Sequence, residues 1–250
     1  MGLIGEAGKS LESLEQYARS ELKTNAKLLR RGLRRMEQMM RYRRYSLDGV
    51  PVLFANSFPK SGTHLLTQVL QSFTKIGPVV DSGLPAIVTF DSTTGDLRRE
   101  VDIQRELMRL KSGDIAYGHL HATGSVRDFF CGDGIVSYFI LRDPRDVVVS
   151  HVYYVTEIET NHVHHQYYQE ELENFDERLK TSILGRPDFG SLFPNIRERL
   201  DPYLGWFDLP QVLVLRFEDF AFERRKTIRR IFNHAVECGF PTLLDDHQAI

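Results

Sequence analysis

Cationic and hydroxyl side chains stand together at two places where a short apolar run gives way to a helical pattern. The first segment reads Phe58-Pro59-Lys60-Ser61-Gly62-Thr63-His64-Leu65-Leu66, and the second runs from Phe139 through Arg142-Asp143-Pro144-Arg145-Asp146 to Ser150 and His151. Such groups bind phosphate or sulfate oxygens at the start of a helix, because unpaired backbone N–H groups there add a positive field. Two such loops predict a ligand with anionic groups at both ends.

The first loop combines a turn-forming glycine with three donors. Gly62 permits a tight turn and a close backbone approach to a ligand. Lys60 supplies a mobile positive charge, and Ser61 and Thr63 supply hydroxyl groups. The loop differs from the GxxxxGK(S/T) motif of nucleotide triphosphatases, because its lysine precedes the glycine. The alternative interpretation is an ordinary strand-to-helix turn with a solvated lysine.

The second loop places an arginine and a serine about two helical turns apart. Asp143 and Pro144 are typical of the residues that begin a helix. Ser150 follows Arg142 by eight residues, so that the guanidinium and the hydroxyl can converge on one phosphate. A salt-bridged helix cap is the alternative interpretation of this string.

Alternating strands and helices must position the two loops. We predict strands over residues 50–54, 114–120, 135–141 and 212–217, and helices over 65–73, 100–110, 146–158, 170–184 and 222–236. Residues 77–95 are rich in turn-forming types and are predicted to be loop. The alternation predicts an α/β fold of three layers, P-loop-like, with a central parallel sheet flanked by helices. Both loops then lie at the carboxyl edge of the sheet, where such folds bind ligands.

Residues 1–48 are predicted to form an N-terminal helical extension to a domain over residues 49–250. Over residues 10–45, apolar residues recur in steps of three and four, and the second half is strongly basic. The apolar residues are Leu11, Leu14, Ala18, Leu22, Ala26, Leu29, Leu33, Met36 and Met40, and the basic ones are Lys27, Arg30, Arg31, Arg34, Arg35, Arg41, Arg43 and Arg44. Three interpretations are a helix packed on the domain with a solvated basic face, a patch for a membrane surface or an acidic partner, and a dimerising helix.

The whole chain excludes several classes of protein. A net charge of −2 over 250 residues gives no signal for nucleic acid. Cys131 and Cys238 have no metal-like spacing, so that a disulfide framework is not expected and a reducing compartment is. No apolar run is long enough to span a bilayer, and the N-terminus lacks a signal-peptide pattern. We therefore expect a cytoplasmic protein.

Together, the two loops resemble those of the sulfotransferases that use 3′-phosphoadenosine 5′-phosphosulfate (PAPS). In that family a PKSGT-like loop, residues 59–63 here, holds the 5′-phosphosulfate, and an arginine-to-serine segment, residues 142–150 here, holds the 3′-phosphate. The order of the loops and the 82 residues that separate Lys60 from Arg142 are also similar, as is the string Leu215-Arg216-Phe217-Glu218-Asp219-Phe220. The resemblance covers residues 50–238.

The resemblance implies in-line transfer of a sulfuryl group from PAPS to an acceptor hydroxyl or amine, without a metal. It assigns Lys60 to the charge on the departing oxygen and a histidine between the loops to the role of base. His119 and His121 point to the same side of an extended segment, and His119 is preferred because Leu120 follows it, as in the family. The implied cofactor-binding residues are Lys60, Ser61, Gly62, Thr63, His64, Arg142 and Ser150.

Three departures from the family pattern keep other functions open. His64 stands where the family commonly has a second threonine, and Leu65 where many cytosolic members have a tryptophan that stacks on adenine. No counterpart of the family's later Arg-Lys-Gly segment follows the last predicted helix, since Arg224-Arg225-Lys226 lacks the glycine. The alternatives are a non-catalytic member that binds PAPS or its product, and a P-loop-type kinase of small molecules.

The sequence leaves the acceptor and the partners open. The acceptor is expected to be a small molecule, a carbohydrate or a lipid, and the N-terminal helix suggests peripheral membrane contact or self-association. An aromatic and histidine-rich stretch is either a wall of the acceptor pocket or an exposed polar loop; it contains Tyr153, Tyr154, His162, His164, His165, Tyr167 and Tyr168. A metal site there is not expected, because no cysteine or carboxylate lies at ligand spacing.

Overall fold

The computed structural model describes residues 26–242, which form a parallel sheet between layers of helices. The strands are β1 (Val52–Ser57), β2 (Val80–Asp81), β3 (Ile87–Val88), β4 (Asp114–His119), β5 (Ile135–Leu141) and β6 (Val212–Arg216). Their order is β2-β4-β1-β5-β6. Both β2 and β3 pair with β4, one near each end, so that they form a single interrupted edge. The predicted α/β fold with a central parallel sheet is confirmed.

Helices cover both faces of the sheet. The helices are α1 (residues 26–41), α2 (Thr63–Ser72), α3 (Glu100–Leu107), α4 (Gly124–Phe130), α5 (Pro144–Tyr153), α6 (His165–Glu170), α7 (Phe175–Leu184), α8 (Ile196–Leu200), α9 (Phe217–Phe222) and α10 (Arg224–Glu237). Leu66 and Ile231 belong to the hydrophobic layer under α2 and α10, and Phe130 and Trp206 belong to the layer on the other face. None of the described helices is both long and apolar enough to cross a bilayer.

Local interactions explain where the observed elements differ from the predicted ones. The predicted loop over 77–95 contains β2 and β3, which are two residues each and too short to produce a periodic pattern. The helix predicted over 146–158 begins earlier, at Pro144, because the Asp143 carboxylate accepts from the N–H of Arg145 and caps it. It ends in a π-helical turn, Tyr154–Ile158. The helices predicted over 170–184 and 222–236 correspond to α7 and α10, which begin later, at Phe175 and Arg224.

The carboxyl end of β1 holds the end of β4 in place. All six residues of β1 are buried, including the polar Asn56 and Ser57. The Asn56 amide donates to the carbonyl of Leu120 at 3.0 Å and accepts from the Leu120 N–H at 2.8 Å. This paired contact satisfies a buried amide and continues the strand pairing one residue beyond His119.

Helix α1 packs on the domain, as one interpretation expected, but part of its basic face turns inward instead of being solvated. Arg31 is 4 % exposed. It forms an ion pair with the buried Asp114 at the start of β4 and donates to the carbonyl of Arg109 at 3.0 Å. Arg35 donates to Asp114 at 3.2 Å and to the carbonyl of Ser112 at 2.8 Å. Burial raises the pKa of the Asp114 carboxyl, whereas the two arginines stabilise its charged form.

The apolar residues expected to face the domain are exposed instead. The exposed fractions are 67 % for Leu29, 57 % for Leu33, 54 % for Met36 and 72 % for Met40. A buried carboxylate without a cation is more unfavourable than exposed aliphatic surface, so that Asp114 determines which face of α1 turns inward. The part of the predicted helix over residues 10–25 lies outside the described residues.

Replacing Asp114 by asparagine is expected to destabilise the fold. Asp114→Asn leaves the buried Arg31 guanidinium without its counter-charge, and breaking one side of a buried pair lowers the free energy of unfolding by about 3 kcal/mol. Urea denaturation measures the change. The matched control is Asp102→Asn, which breaks the exposed pairs with Arg99 and Arg105 and should leave stability almost unchanged. Equal effects of the two substitutions would contradict the anchoring role of Asp114.

Candidate functional site

The loop between β1 and α2 has a strained backbone at its lysine. Lys60 has a φ of 68°, in the left-handed region that side chains other than glycine rarely adopt, and Gly62 has a φ of 95°. Gly62 is the N-cap residue of α2 and provides no side-chain cap. The first N–H groups of α2 are therefore open to an anion, as the sequence predicts.

The hydroxyl groups of this loop have different surroundings. Ser61 is fully buried, and its Oγ has no hydrogen-bond partner among the described residues. The Oγ1 of Thr63 lies 2.7 Å from the Oγ of Ser57. His64 is exposed on the first turn of α2. Ser61 is thus the hydroxyl that lacks a partner, while Thr63 is held by the end of β1.

Tyr154 positions the Lys60 ammonium group. The Lys60 Nζ lies 3.7 Å from the centre of the Tyr154 ring, within the range of a cation–π interaction. Burial lowers the pKa of Lys60. The aromatic contact provides the cation with a partner that does not neutralise it, so that the charge stays available to a ligand.

His119 has the geometry of a base whose tautomer is fixed. Its Nδ1 lies 3.1 Å from the carbonyl oxygen of Ser57 and 3.0 Å from the Ser57 Oγ. Because a carbonyl only accepts, Nδ1 carries the proton in the neutral ring and Nε2 keeps its lone pair. The pKa of His119 is lowered to about 4, mainly by burial, with smaller contributions in the same direction from His64 and Lys60. A neutral imidazole with a free Nε2 can accept a proton.

His121 lies in an aromatic environment instead. Its ring contacts Tyr203 edge-on at a centroid distance of 4.8 Å and lies 6.4 Å from the ring of Phe90. Burial lowers its pKa to about 4 as well. Among the described residues, the His121 ring has no hydrogen-bond partner, and its backbone N–H donates to the Thr89 hydroxyl. The ring has neither the carbonyl contact that fixes a tautomer nor the neighbouring loop cations of His119.

The loop between β5 and α5 carries Arg142 toward the same edge. The Arg142 guanidinium lies 4.6 Å from the centre of the Phe217 ring, and one of its terminal nitrogens pairs with Asp146 at 3.3 Å. Its Nε is buried and has no partner in the described part of the chain. Ser150 is half-buried on the second turn of α5. An arginine with an unused donor is suited to bind an anion.

Phe217 joins the two loops. A Cβ atom at Gly62 would lie 2.6 Å from the Phe217 ring, so that only glycine fits there. The same Phe217 ring also makes the cation–π interaction with Arg142. Glu218, the next residue, accepts from the backbone N–H of Asp143 at 2.9 Å. The string that follows β6 therefore fixes the spacing between the loops.

The histidine-rich stretch is packed rather than forming an exposed polar loop. Tyr168 and His164 are buried, and His164 stacks on Phe193 at 4.1 Å. His164 Nε2 donates to the carbonyl of Leu192 at 2.6 Å, which leaves its buried Nδ1 as an acceptor with no partner among residues 26–242. The Nδ1 of His165 instead donates a hydrogen bond to the carbonyl of Val155.

His151 joins His162 and His164 in a cluster that sequence reasoning missed. One ring nitrogen of each lies within 4.8 Å of the others. Burial is the largest cause that lowers their pKa values, to about 3 for His162 and about 4 for His164, and the positive charge of Arg199 lowers them further. The Lys60 charge acts on His151 and His162 in the same direction. Three neutral imidazoles could ligate a metal ion, but the two nearby cations favour a hydroxyl-bearing or anionic ligand.

Four contributors to the site were not predicted as such. Ser57 carried a signal, since it is a polar residue that ends a buried apolar strand. Phe217 stands in a string that resembles the family, but its position between the loops depends on tertiary packing. His151 and Arg199 carried no signal, because they are far apart in sequence and approach one another only in the fold, where both contact Ser182.

Both a family model and several solved structures are similar to this chain. A model of the sulfotransferase domain matches residues 52–235. Solved structures that match include mouse sulfotransferase SULT7A1 complexed with PAP (3′-phosphoadenosine 5′-phosphate), at 21 % identity, covering 81 % of this chain and 65 % of that chain with a TM-score of 0.49. Retinol dehydratase in complex with androsterone and PAP matches at 15 % identity, covering 79 % of this chain and 62 % of that chain with a TM-score of 0.49.

A sulfotransferase from Alicyclobacillus acidocaldarius matches at 19 % identity, covering 78 % of this chain and 84 % of that chain with a TM-score of 0.36. The chain spans less than two thirds of the length of the mouse enzyme and of retinol dehydratase. No curated protein gave a significant match. The family model covers well over half of the chain and includes both loops, so that the chain belongs to the sulfotransferase domain family.

Proposed function

We propose that the protein transfers a sulfuryl group from PAPS to an acceptor hydroxyl or amine. The observation that carries this proposal is the convergence of Lys60, the Ser57-oriented His119 and the partner-free Nε of Arg142 at one edge of the sheet. Family membership supports it independently. The two alternatives, a non-catalytic nucleotide binder and a small-molecule kinase, have no observation of their own in their favour.

The residues present fit a ligand with an anionic group at each end. At one end, the open N-terminus of α2, the partner-free Ser61 hydroxyl and Lys60 would hold the 5′-phosphosulfate. At the other end, Arg142 and Ser150 would hold the 3′-phosphate. Two buried donors without partners, one in each loop, are otherwise unfavourable, and an anion would satisfy both. Thr63 would act mainly by holding Ser57, and the exposed His64 would lie at the margin.

The chemistry requires a base, an electrostatic stabiliser and little else from the chain. PAPS, when bound, supplies a sulfuryl group attached to a phosphate leaving group. His119 accepts the proton of the acceptor at Nε2 while an acceptor oxygen or nitrogen forms a bond to sulfur. The bond from sulfur to the bridging oxygen breaks, and Lys60 stabilises the negative charge that this oxygen gains. We further propose that the cluster of His151, His162 and His164 lines the acceptor side of the site.

Transfer of labelled sulfate tests the function directly. Incubation of the protein with PAPS that carries labelled sulfate and a cell extract should label an acceptor, which identifies its chemical class. Calorimetry with PAP should show binding. Binding of PAP without transfer to any acceptor would favour the non-catalytic alternative, and absence of PAP binding would exclude both functions.

Lys60→Ala and His119→Ala are each expected to reduce turnover at least about 100-fold, the scale for a charge stabiliser or a general base. PAP binding should persist in His119→Ala, because the imidazole acts on the acceptor. The matched controls are His121→Ala and Lys180→Ala, which should retain most of the activity. Near-normal turnover of His119→Ala would remove His119 from the role of base.

The protonation of His119 can be measured without any ligand. Burial disfavours the imidazolium, so that its pKa is lowered to about 4 and the ring is neutral at physiological pH. NMR titration of ¹⁵N-labelled histidine should show the tautomer protonated on Nδ1, with protonation of Nε2 only near pH 4. A midpoint near the ordinary value, or a tautomer protonated on Nε2, would contradict the proposed geometry.

Arg142→Gln is expected to weaken binding of PAP roughly tenfold or more, because a charge-assisted contact to the 3′-phosphate is lost. Binding of adenosine 5′-phosphate, which lacks that phosphate, should change little, so that the preference for PAP disappears. Arg145→Gln is the matched control, since Arg145 is exposed on the same loop and pairs with Asp143. Calorimetry measures all four affinities. Equal losses for the two nucleotides would assign Arg142 a structural role.

A further inference from the structure

The orientation of α1 is fixed by its inward face. Arg31 and Arg35 are held by Asp114 and by two backbone carbonyls, and Met39 packs against the hydrophobic layer under α2. Arg34 lies over Gly83, where its terminal nitrogen approaches the backbone closely. These contacts prevent the helix from rotating its apolar residues inward.

The outward face of α1 is an apolar stripe. We use the term outer stripe for Leu29, Leu33, Met36 and Met40, each more than half exposed. They recur at intervals of four, three and four residues and so form one continuous line along the helix. Tyr45 follows the helix and is fully exposed. A line of large apolar side chains on the surface marks an interaction site rather than scattered exposure.

The outer stripe has a cationic edge. Arg30 and Arg41 each follow a residue of the stripe and are exposed, which places them about 100° further around the helix. Lys27 and Arg43 are exposed as well, against one exposed carboxylate on α1, Glu37. Aliphatic side chains flanked by arginine and lysine, with an exposed tyrosine at one end, are the pattern of a helix that lies in a membrane interface.

We propose that the outer stripe binds an anionic phospholipid surface. The aliphatic side chains would enter the boundary between headgroups and acyl chains, and Lys27, Arg30 and Arg41 would contact the anionic headgroups. Pairing two copies through this stripe would bring two cationic edges together, which like-charge repulsion disfavours. The lipid surface therefore fits both the apolar and the charged features.

Vesicle cosedimentation of the full chain tests the proposal independently of PAPS. We expect saturable binding to vesicles of phosphatidylcholine with about 30 % phosphatidylserine, weak binding to phosphatidylcholine alone, and release at high salt. The double variant Leu33→Gln with Met36→Gln should lose binding roughly tenfold or more. Arg30→Gln with Arg41→Gln should lose a similar factor on anionic vesicles only.

The matched control is Leu97→Gln with Met108→Gln, which changes a leucine and a methionine elsewhere that are even more exposed, at 71 % and 82 %. It should bind vesicles as the unchanged protein does. Vesicle binding by the outer-stripe variant equal to that of the unchanged protein would overturn the proposal. A loss of binding confined to the arginine variant would also overturn it, because it would indicate adsorption by charge alone. A change of oligomeric state in sedimentation without any vesicle binding would assign the stripe to a second copy. A lowered melting temperature of the outer-stripe variant would show that the stripe is covered within the chain.

Discussion

Asn56 and Leu120 exchange two hydrogen bonds at the point where β1 and β4 end, and the chemistry of the sheet edge depends on this contact. A buried amide must satisfy both its donor and its acceptor, and the backbone of Leu120 offers the matching pair. The residue before Leu120 is His119, and the residue after Asn56 is Ser57. The same contact therefore brings the His119 ring to the Ser57 carbonyl, which fixes the tautomer.

The electrostatics of the site follow from the partners of its cations, of which Arg142 has one acidic partner, Asp146 at 3.3 Å. Lys60 is partnered by an aromatic ring, and the Nε of Arg142 by nothing that the structure describes. Burial and the positive charge of Lys60 favour the neutral form of His119, His151 and His162. A dianionic ligand would reduce the repulsion among the cations, and the histidines beside it would already be deprotonated. The proposed binding and the proposed proton transfer therefore depend on the same arrangement.

The sequence was most informative where function depends on local geometry. The loop of residues 58–66 and the segment of residues 139–151 each form one continuous strand-to-helix junction, so that both could be located from residue types and spacing. Contacts between distant segments could not, since the position of Phe217 between the loops and the approach of His151 to His164 require the folded chain. The prediction of which face of α1 packs inward was wrong for a related reason. Its apolar periodicity indicated an inward stripe, but a single buried carboxylate from another element reversed the helix.

Strand β4 connects helix α1 to the histidine proposed as the base. Asp114 at its amino end anchors α1, and His119 at its carboxyl end carries the proposed base, about 17 Å away along the strand. Between them, β4 pairs with β1 over its length and with β2 and β3 on the other edge, so that neither end can shift without disturbing shared backbone hydrogen bonds. Contact at α1 therefore has no flexible path by which to alter the base. A surface bound by α1 would therefore affect the proposed reaction by determining where the protein is held and which acceptors lie near it, rather than by changing the site.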